Sequence, residues 1–260
     1  MILDEITRKR KIQLQREKSK ISPENIKKIA LYDKREPISF KKALQKERLS
    51  IIAEIKKSSP SKSVICTDFD PVRTASIYQA SGADAVSCLT EEFFFNGSSE
   101  YLRQIRNKLS IPVLRKDFII DEYQIYEAKV IGADAILLIS ALLDTDTIIH
   151  FKEIADSLGL ECLCEIHNKE ELLNLIPAKP EIIGINNRNL RTFNVSLDTT
   201  KELVTMITDG PVIVSESGIK DEDDIKLLRS YGVNAVLIGE TLMRSTDIPK
   251  TMSELRKYAI

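Results

Sequence analysis

The side chains with the clearest chemical potential in this sequence stand at the ends of aliphatic runs. The run Ile52-Ala-Glu-Ile-Lys56 closes with a carboxylate and an ammonium group two positions apart. Three later runs each end in one ionisable residue, namely Lys116, Glu165 and Glu216. Ammonium and carboxylate groups that pack together shift one another's pKa values, so that a lysine can act as a general acid and a glutamate as a base near neutral pH. The pattern therefore indicates acid–base catalysis, provided that the fold brings these groups together.

The alternation of side chains along a β-strand tests whether these groups can face one interior. Glu54 and Lys56 share one face of their run, and Asn186 shares a face with Arg188. In the three other runs, the ionisable residue shares a face with the aliphatic residue two positions before it. Two lysines, three glutamates, an asparagine and an arginine are thus predicted to converge on one cavity.

Eight candidate strands supply these runs, and helical patterns lie between them. The strands are predicted at residues 51–56, 85–90, 112–116, 135–140, 161–165, 182–186, 212–216 and 235–239. Alternation of aliphatic strands with helices favours one parallel sheet. Eight such units in 260 residues, with no G-x-G-x-x-G motif, favour an α/β fold of the closed (β/α)8 TIM-barrel type over an open doubly wound sheet.

Three near-repeats support this spacing: Ser81-Gly-Ala-Asp-Ala85, Ile131-Gly-Ala-Asp-Ala135 and Tyr231-Gly-Val-Asn-Ala235. Each is typical of a helix that stops at a glycine and passes into a strand. The glycines are 50 and 100 residues apart, which is two and four times a βα unit of about 25 residues. Residues 1–48 are predicted to form an N-terminal helical extension covering the barrel mouth, with a solvated extension as the alternative, and residues 49–260 to form the catalytic barrel.

Composition excludes several classes of function. A formal net charge of −1 gives no general attraction for nucleic acid, and the longest apolar run, nine residues at 135–143, is too short to span a membrane. Four cysteines without a C-x-x-C motif predict reduced core residues, and no metal-ligand spacing is present. We interpret His150 and His167 as structural. The first residues mix both charges without an apolar segment, so no secretory signal is predicted and the cytoplasm is expected.

The last two predicted strands lead into Ser215-Glu-Ser-Gly-Ile219 and Leu237-Ile-Gly-Glu-Thr-Leu-Met243. In this fold, the loops after strands 7 and 8 are the usual phosphate site. Gly218 and Gly239 would let backbone N–H groups approach phosphate oxygens, and a following helix would add its dipole. A phosphorylated ligand is therefore predicted.

These motifs, taken in order, resemble those of the indole-3-glycerol phosphate synthase family over nearly the whole chain. The similar segments are Ile52-Ala-Glu-Ile-Lys-Lys-Ser-Ser-Pro-Ser-Lys62, Leu89-Thr-Glu-Glu-Phe-Phe-Phe-Asn-Gly-Ser98, Leu114-Arg-Lys-Asp-Phe118, Gly184-Ile-Asn-Asn-Arg-Asn-Leu190, Ser215-Glu-Ser-Gly-Ile219 and Leu237-Ile-Gly-Glu-Thr-Leu-Met-Arg244. The resemblance implies a lyase of tryptophan biosynthesis. Its substrate would be 1-(2-carboxyphenylamino)-1-deoxyribulose 5-phosphate, and its products indole-3-glycerol phosphate, CO₂ and water.

In that reaction the ring carbon that bears the carboxylate attacks the sugar ketone, and loss of CO₂ restores aromaticity. The substrate's own nitrogen accepts the electrons, so the resemblance implies no cofactor, neither pyridoxal phosphate nor metal. It implies that Lys116 is the general acid that protonates the ketone oxygen, with Glu165 as its acid–base partner. Glu54 would hold the substrate or remove a proton at the dehydration step. Lys56 would contact phosphate or a substrate hydroxyl group and could donate a proton to the departing water.

The remaining site residues follow from the same resemblance. Asn186 and Glu216 would orient hydroxyl groups and the lysine heads, and Arg188 would meet the anthranilate carboxylate. Phe95 and Phe118 would wall the aromatic ring, although core packing explains either phenylalanine equally well.

The expected phosphate ligands are Ser59, Ser217, Gly218, Gly239 and the backbone N–H of Glu240. Two positions depart from the commonest family pattern. Ser63 stands where the first loop often has glycine, which is expected to stiffen a loop that closes on substrate. Glu240 stands where some members have a small residue, which requires its side chain to point away from the phosphate.

Two other functions remain as alternatives. A phosphoribosylanthranilate isomerase-like sugar phosphate isomerase would share the phosphate end, but would use a cysteine on the first strand, where Glu54 and Lys56 stand. A catalytically inactive phosphate-binding barrel could serve as a partner subunit, although the complete ionisable set argues against it. A small-molecule sugar phosphate is the expected partner, with no nucleic acid and no membrane. The chain is expected to be a monomer or to associate weakly with tryptophan-pathway enzymes.

Overall fold

The computed structural model describes residues 2–59, 65, 68–208 and 210–259. Eight parallel strands form a closed barrel in chain order, which confirms the predicted (β/α)8 fold. The strands are β1 (Ser50–Ile55), β2 (Ala85–Leu89), β3 (Val113–Lys116), β4 (Ala135–Ile139), β5 (Glu161–Ile166), β6 (Ile182–Asn186), β7 (Val212–Glu216) and β8 (Ala235–Ile238). Every observed strand end lies within one residue of its predicted position.

Helices surround the barrel and precede it. Three lie before the first strand, namely α1 (Ile2–Lys20), α2 (Pro23–Tyr32) and α3 (Phe40–Leu44). The others are α4 (Pro71–Ala80), α5 (Ser99–Arg106), α6 (Tyr123–Ile131), α7 (Thr145–Ser157), α8 (Lys169–Leu175), α9 (Asp198–Val204), α10 (Glu222–Ser230), α11 (Glu240–Met243) and α12 (Ile248–Arg256), with a 3₁₀ turn at Ile176–Ala178. The sequence patterns did not predict α12, which follows the eighth strand and packs against α4 and α10.

The three repeated glycines end helices as predicted. Gly82, Gly132 and Gly232 have φ values of 89°, 93° and 82°, in the left-handed region that a side chain disfavours. Each repeat also has a polar residue two positions after its glycine, and this residue stabilises the neighbouring strand. Its side chain accepts a hydrogen bond from a backbone N–H near the start of the preceding strand. The pairs are Asp84 with Ile51 at 2.9 Å, Asp134 with Val113 at 2.8 Å and Asn234 with Ile213 at 2.8 Å.

The amino end of the barrel is filled by α3. Phe40 and Leu44 are fully buried and pack against the interior side chains of the strands. Glu161 at the start of β5 holds this helix in place, because its carboxylate accepts the N–H of Lys41 at 2.6 Å and the hydroxyl of Ser39 at 2.9 Å. The end of the barrel opposite to the carboxyl ends of the strands is therefore part of the hydrophobic core.

The first helix lies at the other end. Ile2, Leu3 and Ile6 of α1 line a cavity at the carboxyl ends of the strands. The helix is anchored there by the buried guanidinium of Arg10, whose Nε lies 3.1 Å from Oδ1 of Asp117, the residue after β3. The leading segment was predicted to cover one mouth of the barrel. In the structure, α1 contacts the carboxyl end and α3 the amino end.

We expect Phe40→Ala to lower the free energy of unfolding by about 3–5 kcal/mol, because it empties a fully buried position among strand side chains that cannot collapse freely. Urea unfolding followed by circular dichroism measures this loss. Tyr32→Ala is the matched control, since Tyr32 is 70% exposed and its removal should change stability by no more than about 0.5 kcal/mol. Equal losses in the two variants would contradict the assignment of α3 to the core.

Candidate active site

One cavity of about 760 Å³ opens at the carboxyl ends of the strands. Its walls contain every residue that the sequence analysis proposed for catalysis or binding. These are Glu54, Lys56, Ser59, Phe95, Lys116, Phe118, Glu165, Asn186, Arg188, Glu216, Ser217, Gly218, Gly239 and Glu240. The structure thus brings together side chains that lie up to 186 positions apart in the sequence (240 − 54).

The centre of the cavity is the ammonium group of Lys116, at the end of β3. Its Nζ lies 2.8 Å from Oε2 of Glu165 and 2.6 Å from Oε2 of Glu216. Both carboxylates are buried, and they come from β5 and β7. Short charge-assisted hydrogen bonds of this kind fix the position of the ammonium head.

The three groups differ in their pKa values. Burial alone would lower the pKa of Lys116, but the surrounding carboxylates outweigh burial and hold the pKa well above its usual range. Burial raises the pKa of Glu216 to about 7, and the negative charges of Glu165 and Glu54 add to this effect against the attraction of Lys116. For Glu165, burial is outweighed by Lys116 and His167, so its pKa lies well below the usual range. The pKa values of the two carboxylates around this one ammonium group are therefore shifted in opposite directions.

A second ion pair lies at the end of β1. Nζ of Lys56 is 2.6 Å from Oε2 of Glu54. A Cβ atom at Gly239 would overlap this carboxylate, so the glycine after β8 makes room for the pair. Gly184 in β6 does the same for Glu216, whose Oε1 occupies the space that a side chain would fill. These two glycines are required by close approach inside the barrel.

The loop after β7 has an unusual backbone. Ser217 and Gly218 have consecutive positive φ values of 68° and 86°, and such a value is uncommon for serine. The buried side chain of Asn187 stabilises this loop, although the sequence patterns did not predict a role for it. Its amide nitrogen donates to the backbone oxygens of Glu216 at 3.0 Å and Ser217 at 3.2 Å, while its oxygen accepts from Thr200. The loop expected to bind phosphate is thus hydrogen-bonded to a buried side chain.

Aromatic rings form one wall of the cavity. The rings of Phe95 and Phe118 lie 6.0 Å apart, centroid to centroid. The buried carboxylate of Glu91 holds the loop that carries Phe95, because it accepts the N–H groups of residues 93, 94 and 95 at 2.8, 2.8 and 3.1 Å. Both phenylalanines line the cavity, and Phe118 also packs against the side chains of the barrel interior.

Cationic side chains lie around the remaining rim. Arg188 follows β6, and its backbone N–H donates to Oδ1 of Asn186 at 3.0 Å. The carboxylate of Glu240 lies 3.0 Å from Nε of Arg244, one helical turn further on. Arg244 and Lys220 also line the cavity, and neither residue was predicted to belong to the site. Their positions become apparent only when the barrel closes. Ser63 lies outside the described residues.

His167 is a further residue that the sequence analysis did not place in the site. Its Nε2 lies 3.2 Å from Oε1 of Glu165, on the side of that carboxylate away from Lys116. His150 is 58% exposed and lies 3.7 Å from Glu122 on the surface. Within the described part of the chain, no group of three or more His, Cys, Asp or Glu side chains could hold a metal ion, and no helix there is long and apolar enough to cross a membrane.

Comparison with known proteins gives a consistent result. Among solved structures, 3-hexulose-6-phosphate synthase from Salmonella typhimurium superposes with a TM-score of 0.64 at 13% identity, covering 81% of this chain and 98% of that one, which shows the fold alone. Indole-3-glycerol phosphate synthase from Alkaliphilus metalliredigens is 50% identical over 98% of both chains. The enzyme of the same name from Clostridium acetobutylicum is 50% identical over 100% of this chain and 98% of its own. The family model for indole-3-glycerol phosphate synthase matches residues 3–255. The chain belongs to the indole-3-glycerol phosphate synthase family.

Proposed function

We propose that this enzyme converts 1-(2-carboxyphenylamino)-1-deoxyribulose 5-phosphate into indole-3-glycerol phosphate, CO₂ and water. It is a carboxy-lyase of tryptophan biosynthesis. The observation that carries the proposal for how it works is the ammonium group of Lys116, held between two buried carboxylates in the cavity.

Carbon–carbon bond formation places negative charge on the ketone oxygen of the substrate. Lys116 stays protonated because its pKa is held above the usual range, so its positive charge can stabilise this oxygen. The oxygen becomes a strongly basic alkoxide as the bond forms, which draws the proton from Lys116. The ring carbon gains a bond to the former ketone carbon and then loses CO₂, and the electron pair of the broken bond restores the aromatic ring. Glu165 and Glu216 keep the ammonium head in position throughout.

Dehydration requires one acid and one base. The hydroxyl group formed in the first step leaves as water after it accepts a proton, while the carbon next to the nitrogen loses a proton. We assign the acid to Lys56 and the base to Glu54, which form an ion pair at 2.6 Å at the end of β1. Starting from the substrate carboxylate, the overall reaction takes up one proton, since two are donated to oxygen and one is removed from carbon.

The other wall residues bind and orient the substrate. Arg188 meets the anthranilate carboxylate before CO₂ leaves, since a guanidinium matches carboxylate geometry. Phe95 and Phe118 hold the aromatic ring, and Asn186 orients a sugar hydroxyl group.

The phosphate lies between the loops after β7 and β8. Ser217 and Gly218 offer backbone N–H groups in a left-handed conformation, which suits an anion. Gly239, the backbone of Glu240 and the hydroxyl group of Ser59 complete the set. The side chain of Glu240 pairs with Arg244, which offsets the negative charge that glutamate brings to this rim.

We also propose that the enzyme works in the cytoplasm, on a small-molecule substrate, as a monomer or in weak association with other enzymes of its pathway. The three described cysteines are buried free thiols, as suits a reducing compartment. We propose that residues 1–48 belong functionally to the barrel, because α1 lines the cavity and α3 fills its opposite end.

The proposed mechanism predicts indole fluorescence when the purified protein meets the substrate, and a fall in kcat of at least about a hundredfold in Lys116→Ala. KM should change much less, because the proton is donated mainly in the transition state. Lys108→Ala removes an exposed lysine outside the cavity and serves as the control, with unchanged kcat. Near-normal turnover in Lys116→Ala would remove this residue from the mechanism.

Inorganic phosphate should inhibit competitively, since it would occupy the site of the substrate phosphate. Initial rates at several substrate and phosphate concentrations test this. Gly218→Ala should raise KM, because φ is 86° there and a Cβ would lie 2.5 Å from Cγ1 of Val195. Gly232→Ala is the matched control, since φ is 82° but nothing lies within 4 Å of its Cβ. Noncompetitive inhibition, or equal effects of the two substitutions on KM, would argue against this phosphate site.

The value of kcat should fall as pH drops below about 7, because Glu216 then takes up a proton and its neutral carboxyl group no longer holds the ammonium group of Lys116 by an ion pair. Glu216→Gln should remove this acid limb and leave kcat low at all pH values. The pH dependence of kcat in both proteins checks the assignment. A wild-type profile that stays flat over about two pH units on either side of 7 would contradict it.

A further inference from the structure

Two carboxylates share one ammonium group in this site, yet they do not behave alike. Glu165 and Glu216 are both buried at strand ends and lie 2.8 and 2.6 Å from Nζ of Lys116. The pKa of Glu165 is nevertheless held well below its usual range, and the pKa of Glu216 is raised to about 7. Lys116 contacts both groups at similar distances, so it cannot be the source of this difference.

The second oxygen of each carboxylate supplies the difference. Oε1 of Glu216 faces Gly184 and is buried without a hydrogen-bond partner among the described residues. Oε1 of Glu165 lies 3.2 Å from Nε2 of His167, at ion-pair distance, although the N–H direction is not aligned for a hydrogen bond. Only Glu165, of these two carboxylates, has this second cationic neighbour among the described residues.

The imidazole ring is held from its other side by the first turn of α8. Oε2 of Glu171 lies 2.9 Å from Nδ1 of His167 and also accepts the backbone N–H of His167 at 2.8 Å. Asn168 fixes Glu171 in turn, since its side-chain amide donates to Oε1 of that residue at 2.7 Å. The side chain of His167 is only 6% exposed. These contacts leave the ring with a carboxylate at each nitrogen.

This arrangement favours the doubly protonated ring. Burial would lower the pKa of His167, but Glu165 and Glu171 outweigh burial and raise the pKa to about 10. The charged groups that face the ring and its neighbour are Glu165 itself, Glu171 on α8 and, across Glu165, Lys116 on β3, with Glu216 on β7 beyond it. At neutral pH the His167 ring therefore places a positive charge next to Oε1 of Glu165, while Lys116 contacts Oε2.

We propose that His167 is a positioning residue that keeps Glu165 ionised, so that a proton taken up by the Glu165–Lys116–Glu216 group resides on Glu216. This inference rests on the proposed function, in which Glu165 and Glu216 hold the ammonium group of Lys116 in position. An ionised Glu165 retains its attraction for the ammonium group of Lys116. Glu216, which lacks the imidazolium, is the member of the pair that changes protonation state near neutral pH.

The test compares three glutamine variants. His167→Gln keeps a polar side chain next to Glu165 but removes the positive charge of the imidazolium ring. Glu171→Gln removes one of the two carboxylates that keep the His167 ring doubly protonated, and it leaves Glu165 unchanged. We expect the acid limb of kcat in His167→Gln to move to higher pH by about one unit or more, which means a tenfold loss of kcat on that limb. Glu171→Gln should shift the limb in the same direction by less, and KM should change by less than about threefold in both. His150→Gln, the same substitution at the exposed histidine, should leave the profile unchanged.

A spectroscopic measurement separates this inference from the proposed function. The chain has two histidines, so labelled imidazoles give two signals in an NMR titration. The signal of His167 should remain that of the doubly protonated ring well above neutral pH, and Glu165→Gln should lower its titration midpoint. A neutral His167 ring at pH 7 in the wild type would overturn the inference, as would an unshifted acid limb in His167→Gln. If the wild type lacked turnover while His167 and Glu165 still titrated as a pair, the proposed function would fail and the charge assignment would stand.

Discussion

Burial of an ammonium group between two carboxylates is the constraint on which the whole site depends. Taking such charges out of water costs several kcal/mol for each ion, and their attraction offsets this only when the geometry is good. Here Glu54, Lys116, Glu165 and Glu216 come from β1, β3, β5 and β7, the odd strands, which is how one layer of a barrel interior is built. The ion cluster can therefore form only when the sheet has closed. Gly184 and Gly239 contribute by leaving out the side chains that would occupy the same space.

The strand that carries Lys116 serves both faces of the sheet. Lys116 points into the cavity, whereas Arg115 is buried on the other face and lies 3.1 Å from Asp117 and 2.6 Å from Glu127. Asp117 also binds Arg10 of α1, so the leading helix is attached next to the central lysine. This ion pair thus fixes the position of α1 relative to β3, and with it the α1 side chains that line the cavity. The leading segment is structurally continuous with the site, even though no barrel strand comes from it.

The strands and most of the helices could be predicted from local sequence patterns, because burial of aliphatic runs and the backbone conformation of glycine depend on only a few consecutive residues. Aliphatic runs and helix-ending glycines located the eight strands to within one residue, and the alternation along each strand identified which ionisable side chains face inward. The pairing of those side chains was not predictable, because it depends on which strands the closed barrel brings together. His167 was missed for this reason: it follows β5 immediately, and its two partners are set by the turn into α8. Asn187 likewise acts through the backbone of a neighbouring loop.

The plug formed by Phe40 and Leu44 has a consequence for the gas that the reaction releases. Since α3 fills the amino end of the barrel, CO₂ leaves through the same opening that admits the substrate. Leu137 and Ile139 of β4 give the cavity an apolar lining between the closed end and this opening. The carbon dioxide and the indole product therefore share one way out of the barrel, because packed side chains close its amino end.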